Sequence, residues 1–293
     1  MILPTPKEFS FEECLIYLNR SPLECLFYVE DSRIEKAMKV GNDTVFFSVQ
    51  HNKSEGIQIN FPNGQPNDSA RQAVARYVQE WLDLERDLTP FYKMAASDPL
   101  LKPLIERYYG LRLIAIPDLF EALCWSIIGQ QINLKFAYTL KKRVVETFGE
   151  KATRGKRDYW LFPSPETIAA LEPEAFMEFQ FSRNKAEYLI GVARLLAAGD
   201  ISPDSLRNGN DPDMTRQTLL QIRGVGNWTA DYVLMKCFRI PSAFPIGDVG
   251  LHNALKIQLG LSQKPSLAEI EKIAAAWKGW EAYATFYLWR SLV

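Results

Sequence analysis

Residues 219–255 constrain the fold of this chain more than any other stretch, because they place two sharp turns between apolar helical patterns. The first pattern ends at Gly224-Val225-Gly226, and a second begins at the next residue. Two glycines around one aliphatic residue permit a tight turn with positive φ at little conformational cost. A loop with two prolines then leads to Asp248, which precedes the apolar start of a third helix. The stretch predicts a helical hairpin over residues 219–238 and a loop that presents one carboxylate at a helix N-terminus.

The turn of this hairpin is a candidate anion site. The first backbone N–H groups of a helix lack intrahelical partners, and the helix dipole favours negative charge beside them, so a phosphate suits this position. Asn227 and Thr229 stand at the start of the second helix and can add hydrogen bonds. An ordinary turn between two helices is compatible with the same Gly-Val-Gly sequence, so both interpretations stay open at this point.

Two aromatic residues and the carboxylate also have two interpretations each. Trp228 and Tyr232 are four residues apart and share a helix face, which is typical of core packing or of a wall for a stacked base, above all a cationic one. The last predicted helix adds further aromatics, among them Trp289. Asp248 is either a helix N-cap or a carboxylate that faces a developing cation, and the two roles are compatible.

The 293 residues are many for one core, which favours two domains. In residues 1–90, strand-like runs separated by turn signals precede a helical pattern over residues 67–85, so we expect an α+β domain with a small antiparallel sheet. Residues 91–293 show one helical pattern after another and no convincing strand. The predicted fold is therefore mostly α: an all-helical second domain that follows a smaller α+β domain.

Charge and cysteine content narrow the functional classes. The net charge of −1 gives no general support for nucleic-acid binding, although residues 135–158 hold eight basic and three acidic residues, a basic patch or a solvated helix face. Four scattered cysteines and two histidines argue against a zinc site or an iron–sulfur loop, so we expect no cofactor and no catalytic metal. The start of the chain is not a secretory signal, and no apolar run could span a membrane, so we expect a cytoplasmic protein.

The order of these motifs resembles a known family. A helix, Gly-Val-Gly, a second helix and a Pro/Gly loop with one Asp are similar to the helix-hairpin-helix DNA glycosylases of the HhH-GPD superfamily. Residues 224–232 look most like the bacterial DNA-3-methyladenine glycosylase II branch, the AlkA-like enzymes. Residues 127–132, 181–186 and 286–289 are similar to that branch as well. The resemblance implies an all-helical glycosylase core over residues 91–293, preceded by the branch's extra N-terminal domain.

The resemblance also implies roles for individual residues. Asp248 takes the place of the family's essential aspartate, while Trp228, Tyr232 and Trp289 take the places of its aromatic base pocket. Damaged double-stranded DNA would be held by the hairpin and by a wedge near Gln131. The residues that this assigns to DNA are Gly224, Val225, Gly226, Asn227, Thr229 and Gln131. The backbone carbonyls of Leu220, Ile222 and Val225 would be placed to hold a structural monovalent cation.

One substitution within the family pattern bears on the chemistry. Relatives with lyase activity carry a lysine where this chain has Trp228, and an indole cannot form a Schiff base. The resemblance thus implies a monomeric, monofunctional glycosylase that flips alkylated purines such as 3-methyladenine and 7-methylguanine and hydrolyses the N-glycosidic bond. Arg223 before the hairpin and Gly247 before Asp248 depart from the family pattern and leave the substrate choice open. A DNA-damage-binding module without turnover and a glycosylase for oxidised or deaminated bases remain alternatives.

Overall fold

The computed structural model describes residues 1–207 and 211–293. The N-terminal region contains β1 (Ile2–Leu3), α1 (Phe11–Leu18), β2 (Phe27–Glu30), β3 (Arg33–Val40), β4 (Asp43–Asn52), β5 (Gly56–Asn60) and α2 (Asp68–Trp81). The five strands form one antiparallel sheet in the order β1-β5-β4-β3-β2. This confirms the small antiparallel sheet expected in the N-terminal region.

Alternation of apolar residues explains the central strand. Val45, Phe47 and Val49 of β4 are buried, and the residues between them are only partly covered. The buried side of α2, which includes Val74 and Val78, belongs to the same core. β1 and β3 were not predicted, because β1 is only two residues long and β3 carries charged side chains at half of its positions.

The rest of the chain is mostly helical, as predicted. Its helices are α3 (Thr89–Ala95), α4 (Leu101–Arg107), α5 (Leu119–Gly129), α6 (Leu134–Phe148), α7 (Pro165–Ala169), α8 (Glu174–Met177), α9 (Arg183–Ala198), α10 (Pro203–Arg207), α11 (Pro212–Leu220), α12 (Asn227–Lys236), α13 (Val249–Gln258), α14 (Leu267–Ala274) and α15 (Glu281–Arg290), with a 3₁₀ turn at Ala275–Trp277. Side-chain caps define several starts: Asp118 caps α5, Asn133 caps α6 and Ser182 caps α9. In the two described ranges no helix combines the length and apolar character needed to cross a membrane.

The expectation that no strand follows residue 90 is wrong in one place. β6 (Glu150–Arg154) and β7 (Arg157–Leu161) form a two-stranded antiparallel hairpin between α6 and α7. The hairpin packs against the N-terminal sheet: the Tyr159 hydroxyl donates to the Glu35 carboxylate at 2.6 Å, and the Tyr28 hydroxyl donates to the Asp158 carbonyl at 2.7 Å. These partners lie more than a hundred residues apart in the sequence, so no local pattern could predict the hairpin.

Because of this hairpin, the basic residues at 135–158 do not form a single surface patch. Its charges do not share one helix face, because the run continues from α6 into β6 and β7. Lys141 is buried between the carboxylates of Glu24 and Glu121, each 3.2 Å from its ammonium group. Arg157 pairs with Glu30 at 2.8 Å. Part of the basic run therefore binds the N-terminal region and is not available to DNA.

The N-terminal region and the helices share one continuous apolar core. At their junction the Arg112 side chain is fully buried, and its guanidinium donates to the backbone carbonyls of Asp83, Arg86 and Glu8. Tyr17, near the end of α1, packs on Phe286 of α15 with ring centroids 4.5 Å apart. The N-terminal region thus reaches the helices that carry the candidate site. A domain boundary at residues 90–91 stays a prediction.

Candidate active site

The predicted hairpin joins α11 to α12 through a turn that requires glycine at one position. Gly224 has φ +92°, and a Cβ atom there would lie 2.3 Å from Cγ of Tyr188. Both the backbone conformation and the close packing therefore exclude a side chain. Val225 is buried inside the turn, and its N–H donates to the Ile222 carbonyl at 3.0 Å.

Gly226 is the N-cap of α12 and provides no side-chain cap. In the described parts of the chain, a Cβ at Gly226 would meet no atom within 4 Å, so this helix N-terminus is open to solvent. Asn227 is exposed, and its amide oxygen accepts a hydrogen bond from Arg216 at 3.0 Å. Thr229 is buried and faces inward. The turn can thus offer backbone N–H groups and Asn227 to an anion, while Thr229 has an internal role.

The end of α5 is tied to the hairpin by two residues that the sequence analysis did not single out. The Gln130 amide donates to the Gly224 carbonyl at 2.9 Å and to the Thr229 hydroxyl at 3.0 Å. Lys185 donates to the carbonyls of Ile128 and Gln130 at 2.8 and 2.7 Å. Burial lowers the pKa of the Lys185 ammonium group below its ordinary value. In the sequence, Lys185 was indicated only by the family-like motif at residues 181–186, in which it lies.

Gln131 follows directly and has φ +57°, a conformation that non-glycine residues seldom adopt. Its side chain is exposed. Leu134, in the first turn of α6, is also 54% exposed, which is high for a leucine. The loop after α5 and the first turn of α6 therefore project one amide and one apolar side chain from the surface beside the hairpin.

Asp248 is both a helix cap and the acceptor for two indoles. Its Oδ1 accepts the Leu251 N–H of α13 at 2.8 Å and the Trp289 indole N–H at 2.8 Å. Its Oδ2 accepts the Trp228 indole N–H at 3.0 Å. Three donors fix the carboxylate, and none of the described residues forms an ion pair with it, so its negative charge stays available to a positive centre. The two interpretations of Asp248 are thus compatible in the structure.

The predicted aromatics lie together at this carboxylate. The ring centroids of Trp228 and Tyr232 are 5.4 Å apart, and those of Tyr232 and Trp289 are 6.1 Å apart. Tyr232 is buried, and its hydroxyl accepts the Trp125 indole N–H at 2.8 Å, whereas Trp228 and Trp289 are only partly covered. The two indoles therefore form the open walls of the site, and Tyr232 closes it from behind.

Gly250 gives a way to perturb this arrangement without damaging the fold. A Cβ at this helical position would lie 2.9 Å from Oδ1 of Asp248 and 3.2 Å from the Trp289 indole nitrogen. Alanine favours a helix over glycine by about 1 kcal/mol, which offsets part of the cost of disturbing the Asp248 cap, so the net loss of stability in Gly250→Ala should stay within about 1 kcal/mol. Displacing the carboxylate should lower the rate of any chemistry that depends on it by about 10- to 100-fold. Thermal melting and a base-release assay on the same preparation test both expectations, and an unaltered rate would contradict them.

The turn also carries the three carbonyls that were predicted to hold a cation. Among the described residues, no backbone N–H donates to the Leu220 or Val225 carbonyl. The Ile222 carbonyl accepts one hydrogen bond and keeps a second lone pair. Backbone oxygens suit a hard monovalent cation, so the residues fit such an ion. Among the described residues, no group of three His, Cys, Asp or Glu side chains could hold a metal ion.

Comparison with known proteins places this geometry in a family. Residues 124–280 match the model of the HhH-GPD superfamily base excision DNA repair protein, and residues 16–123 match the N-terminal domain of 8-oxoguanine DNA glycosylase. The first match covers more than half of the chain. The chain therefore belongs to the HhH-GPD superfamily of base excision DNA repair proteins, which confirms the resemblance seen in the sequence.

Individual relatives agree with this assignment. The chain is 45% identical to DNA-3-methyladenine glycosylase of Bacillus subtilis over 294 residues, which cover 100% of this chain and 97% of the relative. It is 28% identical to DNA-3-methyladenine glycosylase 2 of Escherichia coli over 61% of this chain and 60% of that protein. The structure of a 3-methyladenine DNA-glycosylase from Archaeoglobus fulgidus has the same fold, with a TM-score of 0.83, 22% identity and coverage of 99% and 97%.

Proposed function

We propose that the protein is a DNA glycosylase that flips an alkylated purine out of double-stranded DNA and hydrolyses its N-glycosidic bond. The observation that carries the proposal is Asp248, a carboxylate that is held by two partly exposed indoles and forms no ion pair with any residue that the structure describes. Such a group stabilises a positive charge in front of it and matches the oxocarbenium-like sugar of glycoside cleavage. Family membership and the 45% identical Bacillus subtilis relative support the same activity.

In the proposed reaction, the base leaves with the bonding electron pair and the sugar reacts with water. The C1′–N bond breaks, its electron pair stays with the base, and the sugar becomes a cation that Asp248 stabilises. Water then adds to C1′ and loses a proton, which leaves a free base and an abasic site. Both oxygens of Asp248 already accept hydrogen bonds, so its role is electrostatic first and the orientation of water second. The leaving base needs little acid catalysis when it is already cationic.

The base and the DNA backbone would be held by the remaining predicted residues. Trp228 and Trp289 offer flat electron-rich faces, on which a cationic methylpurine stacks well. The open N-terminus of α12 at Gly226, with Asn227, would bind a phosphate of a single DNA duplex. Gln131 would fill the gap left by the flipped nucleotide. A monovalent cation on the Leu220, Ile222 and Val225 carbonyls would add positive charge toward the same DNA backbone.

A second candidate substrate class is an oxidised base. Residues 16–123 match the N-terminal domain of 8-oxoguanine DNA glycosylase, and that match favours this class. The 8-oxoguanine glycosylase/lyase of Clostridium acetobutylicum in complex with DNA also shares the fold, with a TM-score of 0.75 at 19% identity and coverage of 99% and 97%. We place alkylated purines first, because the 45% identical relative is a 3-methyladenine glycosylase.

A substrate panel tests the proposal. Duplexes with single 3-methyladenine, 7-methylguanine, hypoxanthine or 8-oxoguanine residues are incubated with the protein, and the free bases are quantified by chromatography. We expect release of the two methylated purines and little release of 8-oxoguanine. Tight binding to DNA with an abasic analogue, but no release of any base, would instead identify a damage-binding module without turnover.

The site should also lack lyase activity. Trp228 stands where lyase-competent relatives carry a lysine, and an indole forms no Schiff base. The lysine two turns further along the same helix, Lys236, is buried, and its ammonium group donates to the Ile114 carbonyl. Incubation with abasic DNA and borohydride should therefore trap no covalent adduct, with a glycosylase/lyase as positive control. A trapped adduct that disappears in Lys236→Met would overturn this prediction and name the nucleophile.

A further inference from the structure

The turn of the hairpin carries an arginine at a position that does not need one. Residues 222–225 form a β-turn, which the Val225 N–H closes by donating to the Ile222 carbonyl at 3.0 Å. Gly224 takes the third position with φ +92°, the conformation that a type II turn requires there. Arg223 therefore takes the second position, where proline is common because its fixed φ suits the turn. The turn itself gives no structural reason for a positive charge at this position.

Two residues of α9 hold the Arg223 side chain beside the turn. Its guanidinium carbon lies 5.6 Å from the ring centroid of Tyr188. The same ring packs on Gly224, where a Cβ atom would lie 2.3 Å from Cγ of Tyr188. Nη2 of Arg223 donates to the Glu187 carboxylate at 2.9 Å. The positive group is thus kept close to the turn, and Arg223 precedes the open N-terminus of α12 at Gly226 by three residues.

The ion pair between Arg223 and Glu187 is open to solvent. The Arg223 side chain is 74% exposed and that of Glu187 is 28% exposed. Exposed ion pairs contribute little to stability, so another anion can replace the carboxylate at small cost. A guanidinium has five N–H donors in a planar fork, and the hydrogen bonds among the described residues use one of them. Arg223 can therefore bind a phosphate with two parallel hydrogen bonds.

Two neighbouring cations are bound more firmly within the protein. Arg216 of α11 donates to both carboxylate oxygens of Asp231, at 2.7 and 3.1 Å, and also to the Asn227 amide oxygen. Lys185 of α9 donates to two backbone carbonyls at the end of α5. Both side chains are partly covered. Of these three cations, Arg223 is the one whose partner an incoming phosphate replaces most easily.

We propose that Arg223 binds a phosphate of the DNA backbone beside the one at the N-terminus of α12, and that Glu187 competes for the same guanidinium. The inference rests on the proposed glycosylase function and deepens it by adding a second backbone contact to the hairpin. A DNA strand carries one phosphate for about every 3.4 Å of helix axis, so a phosphate at Gly226 brings its neighbours close to the turn. Arg223 then exchanges a carboxylate for a phosphate, and the contact adds affinity for DNA of any sequence.

The two members of the ion pair should have opposite effects on DNA binding. Affinity for a duplex with an abasic analogue is measured against salt concentration for the wild type, Arg223→Gln, Glu187→Gln and the double variant. Arg223→Gln should weaken binding about five- to tenfold near 0.1 M salt and reduce the slope of log K against log salt by about one, because one phosphate contact is lost. Glu187→Gln should tighten binding about two- to fivefold, since the competing carboxylate is gone. Most of this gain should disappear in the double variant, because the gain depends on Arg223.

A second ion pair and the kinetics of base release provide the controls. Arg71 of α2 also forms an exposed pair, with Asp68, so Arg71→Gln makes the same chemical change in the N-terminal region and should leave affinity and salt slope unchanged. In single-turnover release of 7-methylguanine, Arg223→Gln should mainly raise the protein concentration at half-maximal rate and alter the maximal rate little, because a backbone contact does not touch the base. Thermal melting verifies that each variant folds. Arg223→Pro, which suits the second position of the turn, replaces Arg223→Gln if the latter is unstable.

The outcomes separate this inference from the function on which it rests. If Arg223→Gln and Glu187→Gln both weaken binding, or both leave it unchanged, the pair only stabilises the surface and the inference is wrong, whether or not bases are released. If the two variants shift DNA affinity in opposite directions but no substrate loses its base, the glycosylase function is refuted and the phosphate contact stands. A wild type that does not bind DNA would refute both.

Discussion

Asp248→Asn is expected to lower the rate of base release by about 100- to 1,000-fold while the protein still folds and binds DNA. The substitution removes the negative charge that faces the sugar but keeps the size of the side chain. Asparagine caps a helix about as well as aspartate, so the hydrogen bond from the Leu251 N–H survives. Its amide nitrogen would meet the Trp228 indole N–H, donor against donor, so one hydrogen bond is lost. The cost to stability should be about 1 kcal/mol.

A second capping aspartate provides the matched control for this variant. Asp118 caps α5 by accepting the Glu121 N–H at 2.7 Å, and it lies outside the proposed site. Asp118→Asn makes the same chemical change at another helix N-terminus and should alter the rate by no more than about threefold. Single-turnover release of 7-methylguanine measures both variants, and binding to DNA with an abasic analogue shows that Asp248→Asn still reaches the lesion. Equal rates for Asp248→Asn and the wild type would reject the catalytic assignment.

Signals that act over a few residues were sufficient to predict most of the helical framework. The Gly-Val-Gly turn and the spacing of Trp228 and Tyr232 depend on neighbours within one or two turns of the chain. Their order and spacing together also indicated the family, although each motif alone had an ordinary structural explanation. Local chemistry therefore predicted where the candidate site begins.

Features that depend on distant residues could not be predicted in the same way. The bond between Asp248 and Trp289 spans 41 residues, and only the resemblance paired them beforehand. The hairpin β6–β7 was missed for a related reason, since its charged strands are stabilised by the N-terminal sheet. Contacts of this kind have no local sequence signature.

Replacement of each hairpin glycine by alanine should affect stability and DNA binding differently. At Gly224, with φ +92° and Tyr188 in contact, a Cβ costs about 2–4 kcal/mol through backbone strain and overpacking. Gly224→Ala should therefore lower the melting temperature by roughly 5–10 °C and weaken DNA binding through the damaged turn. At Gly226 a Cβ would point into open solvent, so Gly226→Ala should cost less than about 1 kcal/mol, the loss of a glycine cap.

The affinity of these variants for DNA tests whether the open N-terminus of α12 binds a phosphate. If the first N–H groups of α12 bind a phosphate, a methyl group at Gly226 stands in the way and weakens the charge-assisted hydrogen bonds, which should reduce affinity for DNA with an abasic analogue about 10- to 100-fold. This loss should occur at an almost unchanged melting temperature, unlike that of Gly224→Ala. If Gly226→Ala binds DNA as tightly as the wild type, the hairpin is an ordinary turn between helices and not a phosphate site. Because the two variants add the same atom two residues apart, the comparison separates the role of glycine in folding from its role in letting DNA approach the backbone.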